Sequence, residues 1–155
     1  MTKFNELQNQ TNIQEIIKTT FDVDFPLSGD WGYSQEKATI IEHTPKDMPL
    51  NQLEHTITSI RAHLEMNITQ EKNNRYAGIN ANEKSRETLK VKGMRFDKIH
   101  YEVTGIKEEL YHAFIKEYKE KYESEDFDLN EHFQKRKQAT IVREVVHFFG
   151  IKSEE

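Results

Sequence analysis

Residues Leu89–Val103, LKVKGMRFDKIHYEV, carry apolar side chains at every second position: Leu89 and Val91, Met94 and Phe96, then Ile99, Tyr101 and Val103. That is the period of half-buried strands. In Leu110–Tyr122, LYHAFIKEYKEKY, the spacing changes, and Leu110, Tyr111, Phe114, Ile115, Tyr118 and Tyr122 recur at three and four. That is the period of one helix face. A sheet followed by a helical layer predicts an α+β domain.

The bulk numbers bound the rest. A chain of 155 residues is the size of one domain, read as 1–155 with an ordered core over about 11–150. Hydrophobic residues make up 35% and charged residues 32%, so the core must be compact, and nine Phe and six Tyr supply much of its area. The formal charge of −5 argues against a wholesale nucleic-acid binder or a membrane-surface protein, while leaving room for a local basic patch. Without cysteine there are no disulfides, thiolate metal sites or Cys nucleophiles. The start, MTKFNELQNQ, has no charged region followed by an apolar run, and no stretch approaches the length of a spanning helix. The expected compartment is the cytoplasm.

Working outward from Leu89, Thr11 or Asn12 can cap a first helix carrying Ile13, Ile16, Ile17 and Phe21. Phe21 to Gln35 reads as a connection broken by Pro26, Gly29 and Gly32, and Lys37 to Thr44 as a strand. Leu50, Leu53, Ile57, Ile60 and Leu64 then form a seam within an arc of roughly 80° on a helical wheel. A seam that narrow faces the sheet or a second copy of the chain in a homodimer.

Arg75 to Ala81 is extended, Asn82 to Arg86 reads as a polar loop, and the parity slip at Gly93 as a β-bulge. Asp97-Lys98 reads as a tight turn into Ile99–Thr104, which makes a three-stranded meander. Lys107 to Tyr122 is a helix, Glu123 to Asp128 an acidic hinge, and Asp128 or Asn130 the cap of a last helix. Thr140–Phe149, TIVREVVHFF, is strand-like by composition. On a wheel, however, its apolar residues fill about 160°, with Arg143, Glu144 and His147 opposite, so it is read as helix ending at Gly150. The expected order is α-β-α-β-β-β-α-α: a four-stranded, mostly antiparallel sheet with helices packed on one face.

Three groups of residues invite a functional reading. Asp30, Trp31 and Tyr33 form an aromatic loop that either anchors a partner or folds Trp31 back to plug the core. Lys90, Lys92, Arg95 and Lys98 make either a basic sheet face suited to single-stranded nucleic acid or a solvated face that discourages strand pairing. His43 and His100, with Glu42 and Glu102, form an acid–base or metal set only if their strands are neighbours, and parity lets at most three of the four meet. His55, His63, His112, His132 and His147 fall on polar or flanking positions and read as surface residues.

No nucleophile elbow, phosphate loop or dinucleotide fingerprint occurs, and no cofactor or metal is indicated. The leading expectation is a non-catalytic protein-binding module of accessory, inhibitor or immunity type. The alternatives are a nucleic-acid-associated protein using the basic sheet and a motif-less metal-dependent or acid–base hydrolase.

Overall fold

The computed structural model describes residues 4–8 and 12–152. Helix α1 (Ile13–Phe21) starts where Asn12 Oδ1 accepts a 2.8 Å hydrogen bond from the Gln14 N–H. Thr11, the other expected cap, lies outside the described residues. There follow β1 (Leu27–Gly29), β2 (Thr39–Ile41) and α2 (Leu50–His63), with a π-helical turn (Leu64–Ile68) and a 3₁₀ turn (Lys72–Asn74). The remainder is β3 (Tyr76–Val91), β4 (Met94–Lys107), α3 (Glu108–Lys121), α4 (Leu129–Ala139) and β5 (Thr140–Ile151).

Among the described residues the fold is α+β with four helices, as the change of period requires, but the sheet is five-stranded and mixed. Its order is β1-β2-β5-β4-β3, with β2 parallel to β5 and the other neighbours antiparallel. Two short strands replace the single long one expected over Lys37–Thr44, because Leu27–Gly29 folds back onto Thr39–Ile41.

The helix expected over Thr140–Phe149 is a strand. β5 lies between β2 and β4, so both its edges are hydrogen-bonded and its residues alternate between the two faces of the sheet. Ile141, Val145, His147, Phe149 and Ile151 alternate onto the side that carries the core, and Val142, Glu144, Val146 and Phe148 take the other. The helical wheel misled because Arg143 and His147 are polar, yet both turn inward to partners described below. Only the Leu129–Ala139 part of the expected last helix is helical, capped by Asp128 Oδ1 on the Glu131 N–H at 3.1 Å.

The three-stranded meander is instead one long hairpin of β3 and β4, and the expected loop Asn82–Arg86 is part of β3. Lys92 and Gly93 form its turn with φ of 53° and 81°, the left-handed pair a two-residue hairpin needs. The slip at Gly93 is therefore this turn; the irregularities of β3 fall between Ala77 and Asn80 and between Glu83 and Ser85. Asp97, expected in a turn, is a buried position of β4.

Not all helices lie on one sheet face. α1 and α2 supply Ile13, Ile17, Leu53 and Ile57 to the core against Ile99, Tyr101, Val103 and Phe149. α3 and α4 instead form a hairpin that replaces the turn between β4 and β5, rooted where Ile106 pairs with Thr140. No residue of α3 is buried, and His132 alone in α4.

At Gly93 a Cβ would meet no heavy atom within 4 Å, so substitution costs backbone strain only. Gly93→Ala should lower stability by about 1 kcal/mol in urea unfolding, and a neutral result would show that the turn does not need its left-handed geometry.

Candidate functional site: a buried polar layer and an exposed helical arm

α2 and the π-helical turn that follows it carry two adjacent stripes. Leu53, Ile57, Ile60 and Leu64 are buried in the chain's own core and Leu50 packs against it, so the seam faces the sheet and is not a free surface for a second copy. Beside it Glu54, Thr58, Arg61 and Glu65 recur at four, three and four, and all are buried. That polar stripe was visible in the sequence as spacing, but nothing in one helix said that its partners would be buried with it.

At one end of the layer Glu54 meets Asp97 of β4, both 0% exposed. Asp97 takes a bidentate fork from Arg95 Nε and Nη2 at 3.0 and 3.1 Å and the Thr88 hydroxyl at 2.9 Å. Burial opposes its charge, but hydrogen bonds from Glu54, Arg95 and Thr88 outweigh that and hold Asp97 below the usual carboxylate range. Glu54 is the opposite case. Burial, then the neighbouring Asp97, pushes it up to about 8 against the pull of Arg86, whose Nη1 donates to Oε1 at 3.2 Å. Glu54 Oε2 is buried and meets no donor among the described residues. Carrying the pair's single proton, it becomes the donor toward Asp97. Two carboxyls with separated affinities suit acid–base chemistry, but both are shielded from solvent, and their evident work is to tie α2 to the β3–β4 hairpin.

The centre of the layer is His147 of β5. Its Nδ1 lies 3.0 Å from the Thr58 hydroxyl and its Nε2 2.9 Å from that of Thr39, and the ring stacks on Phe149 at 4.0 Å. Gly32 lies so close to the ring that a Cβ there would collide with it. Burial, and then the charge of Arg61, holds His147 well below its usual value, so the ring is neutral. Arg61 donates to the carbonyls of Trp31 and Val146 at 3.1 and 3.0 Å and lies over the Tyr33 ring at 4.7 Å. Tyr33 donates to Glu65 Oε2 at 2.5 Å, and Glu65 Oε1 accepts from Arg143 Nη1 at 3.1 Å. Burial, then the charge of Glu65, raises Tyr33 above its ordinary value, so it stays a donor.

These contacts settle where the aromatic loop goes. Trp31 is 1% exposed, the core plug of the two placements weighed for it, and its ring offers nothing at the surface. Asp30 turns back on the loop, its Oδ1 accepting from the Trp31 N–H at 2.7 Å. Tyr33 is half-buried between Glu65 and the Leu7 N–H, 2.9 Å from its hydroxyl.

The four basic residues are divided. Lys90 and Arg95 meet, with Thr44, Leu50 and Lys152, around a cleft of about 480 Å³. Arg95 is engaged by Asp97 and Lys152 by Glu42, which damps the charge there. Lys92 sits in the hairpin turn, and Lys98 alternates to the opposite sheet face, 5.7 Å from the centre of the Phe148 ring. His43 and His100 are not brought together. Ile41 is level with Ile151 and Arg95, and His100 lies five residues further along β4, about 16 Å at strand spacing. No cluster of three or more His, Asp or Glu suited to a metal exists among the described residues. Among these residues, no helix is long and apolar enough to cross a membrane.

His147 and His132, read from the sequence as surface residues, are both buried. His132 sits inside the α3–α4 arm among Phe114, Tyr118, Phe127 and Phe133, with ring centres 5.3 to 5.8 Å away. Its Nδ1 is 3.6 Å from Glu117 Oε1. Among its many charged residues the arm leaves several large apolar side chains open. Tyr122 is 54% exposed, Phe133 47% and Leu129 44%, with Leu110 at 47% and Val142 at 51% near the root. Tyr118 stacks on Tyr122 at 5.6 Å and touches Phe133 at 6.1 Å, so the patch is continuous across both helices.

Comparison of the chain with protein-family models, with curated proteins and with solved structures returns no match.

The two buried titrating groups act in opposite directions. Glu54, raised to about 8, adds stability that is full below its unfolded value of about 4.3 and is lost as pH rises through 8. Glu54→Gln should therefore gain on the native chain by about 4 kcal/mol between pH 5 and pH 9, read by urea unfolding at each pH. His147, lowered, adds stability above about pH 6.5 that is lost as pH falls. His147→Phe should be less stable than the native chain near pH 7 yet flatter from there down to about pH 5. Parallel pH profiles for variant and native chain would show that neither group carries the effect.

Proposed function

We propose that this chain is a non-catalytic protein-binding module whose docking surface is the α3–α4 arm. The observation that carries this reading is the distribution of exposed apolar side chains. Of the seven large ones among the described residues, Leu110, Tyr122, Leu129, Phe133 and Val142 lie on the arm or its root, leaving Ile68 and Leu89 elsewhere. Exposed apolar residues scattered singly are ordinary, whereas a continuous aromatic patch on two helices marks an interaction surface. Tyr and Phe anchors flanked by Arg136, which lies over the Phe133 ring at 5.5 Å, fit the make-up of binding hot spots. The arm also stands clear of the core, so a partner can reach both helices without disturbing the sheet.

The test is affinity recovery of the tagged protein from lysate of its own source, with and without nuclease. The native chain should bring down a stoichiometric, nuclease-resistant protein, and Tyr122→Glu with Leu129→Glu should reduce that recovery by about tenfold or more while the urea midpoint stays put. Recovery that is unchanged in the double variant sinks the arm as the docking surface. Nuclease-sensitive recovery of RNA or DNA would move attention to the cleft of Lys90, Arg95 and Lys152.

A further inference from the structure

We infer that the partner seated on the arm is a second copy of this chain, bound about a twofold axis that passes beside Phe133. This inference rests on the reading of the arm as a docking surface. It follows from the way charge is laid out along α4. Leu129, Phe133, Arg136 and Lys137 fall at i, i+4, i+7 and i+8, one stripe of the helix. Phe133 and Leu129 are its apolar part and are exposed, and the two cations lie at its C-terminal end.

The other end is acidic. The turn leading into α4 holds Glu123, Glu125, Asp126 and Asp128 with no basic residue among them. From that turn to Lys137 is about 14 Å at helical rise. Along α4 and its leading turn the order is thus negative, apolar, positive from tip to root, while α3 runs the other way, with Glu108 and Glu109 in its first turn and Lys119 and Lys121 in its last.

A surface with that order matches itself only when one copy is reversed. A twofold axis at Phe133 lays Phe133 against its own counterpart and brings Lys137 of one copy beside Leu129 of the other. Arg136 then falls beside Asn130, within reach of the acidic turn. By symmetry both ends are satisfied at once, as a self-complementary interface requires. The parallel arrangement sets acid on acid and base on base. Tyr122, 54% exposed and stacked on Tyr118, flanks the same patch and widens the apolar centre. The interface would be a four-helix bundle assembled from two arms, a geometry in which helix pairs with apolar stripes pack readily.

The measurement is sedimentation velocity of the full chain over about 1 to 200 µM, a range that captures dissociation constants typical of modest interfaces. The native chain should pass from monomer to dimer, and Phe133→Glu should stay monomeric throughout. Arg136→Glu with Lys137→Glu gives one charge variant, and Glu123→Lys, Glu125→Lys with Asp126→Lys the other; Asp128 is left in place because it caps α4. Each alone should self-associate about tenfold more weakly or worse, and a 1:1 mixture of the two should associate again, since only then does acid face base at both ends. A dimer that survives Phe133→Glu, or a mixture that does not associate, overturns the proposal. A chain that is monomeric at every concentration overturns it too. If that monomer still recovers a different protein through Tyr122 and Leu129, the arm remains a docking surface and the second copy alone is wrong; if it recovers nothing, both readings fall.

Discussion

Everything in the sheet depends on α2 lying across β5 with charged groups between them. Arg61 is buried and donates to backbone carbonyls of two separate segments, the Trp31 loop and β5. Such a cation must find acceptors or the fold does not form. Its acceptors fix the position of the loop 30–33, which carries the Trp31 plug, and its charge helps keep His147 neutral. Glu65 answers the surplus of positive charge by accepting from Tyr33 and Arg143, and so ties β5 to the segment preceding α1 through the Leu7 N–H. Breaking one member leaves its partner buried and unpaired, which is more costly than the pair is favourable.

How much of this could be read from the chain alone differs element by element. α2, α3 and the start of α1 carry their period within one segment, and they stand where that period puts them. The Lys92-Gly93 turn was misread as a bulge because parity alone does not distinguish a slip within a strand from a reversal between two; the positive φ of both residues does. β5 was misread for a different reason. Its inward positions include Arg143 and His147, and an inward charged residue looks outward until its partner is known. The partners, Glu65 and the two threonines, sit 78 to 108 residues away. The same holds for the site. Trp31 was visible as an unusual residue, but whether it plugged or protruded was decided by Arg61 and its carbonyl. His132 was hidden because its cage is built from both arms of a helical hairpin. The first helix of the arm was legible as the apolar face of Leu110, Tyr111, Phe114, Ile115, Tyr118 and Tyr122, but nothing in that period told which of these side chains would stay exposed.

The two halves of the molecule handle burial in contrasting ways. The sheet and α2 bury charge and satisfy nearly all of it through named partners. The arm leaves aromatic area in solvent and buries a histidine whose ring nitrogens have no hydrogen-bond partner among the described residues. A rigid layer of paired charges suits a scaffold, and an under-covered pair of helices suits a surface completed by something else.

The parallel pairing of β2 with β5 has a consequence for the order of assembly. Thr39 sits opposite Phe149, so this pairing closes a loop of about 110 residues. The β3–β4 hairpin closes through two residues and can form early. During synthesis α1, β1 and β2 leave the ribosome long before the strand that receives them exists, and through that interval Ile41 and the Trp31 plug have no wall to rest on. Until β5 is made, β2 lacks the neighbour it pairs with, so closing this edge of the sheet is a late step that waits on the hairpin.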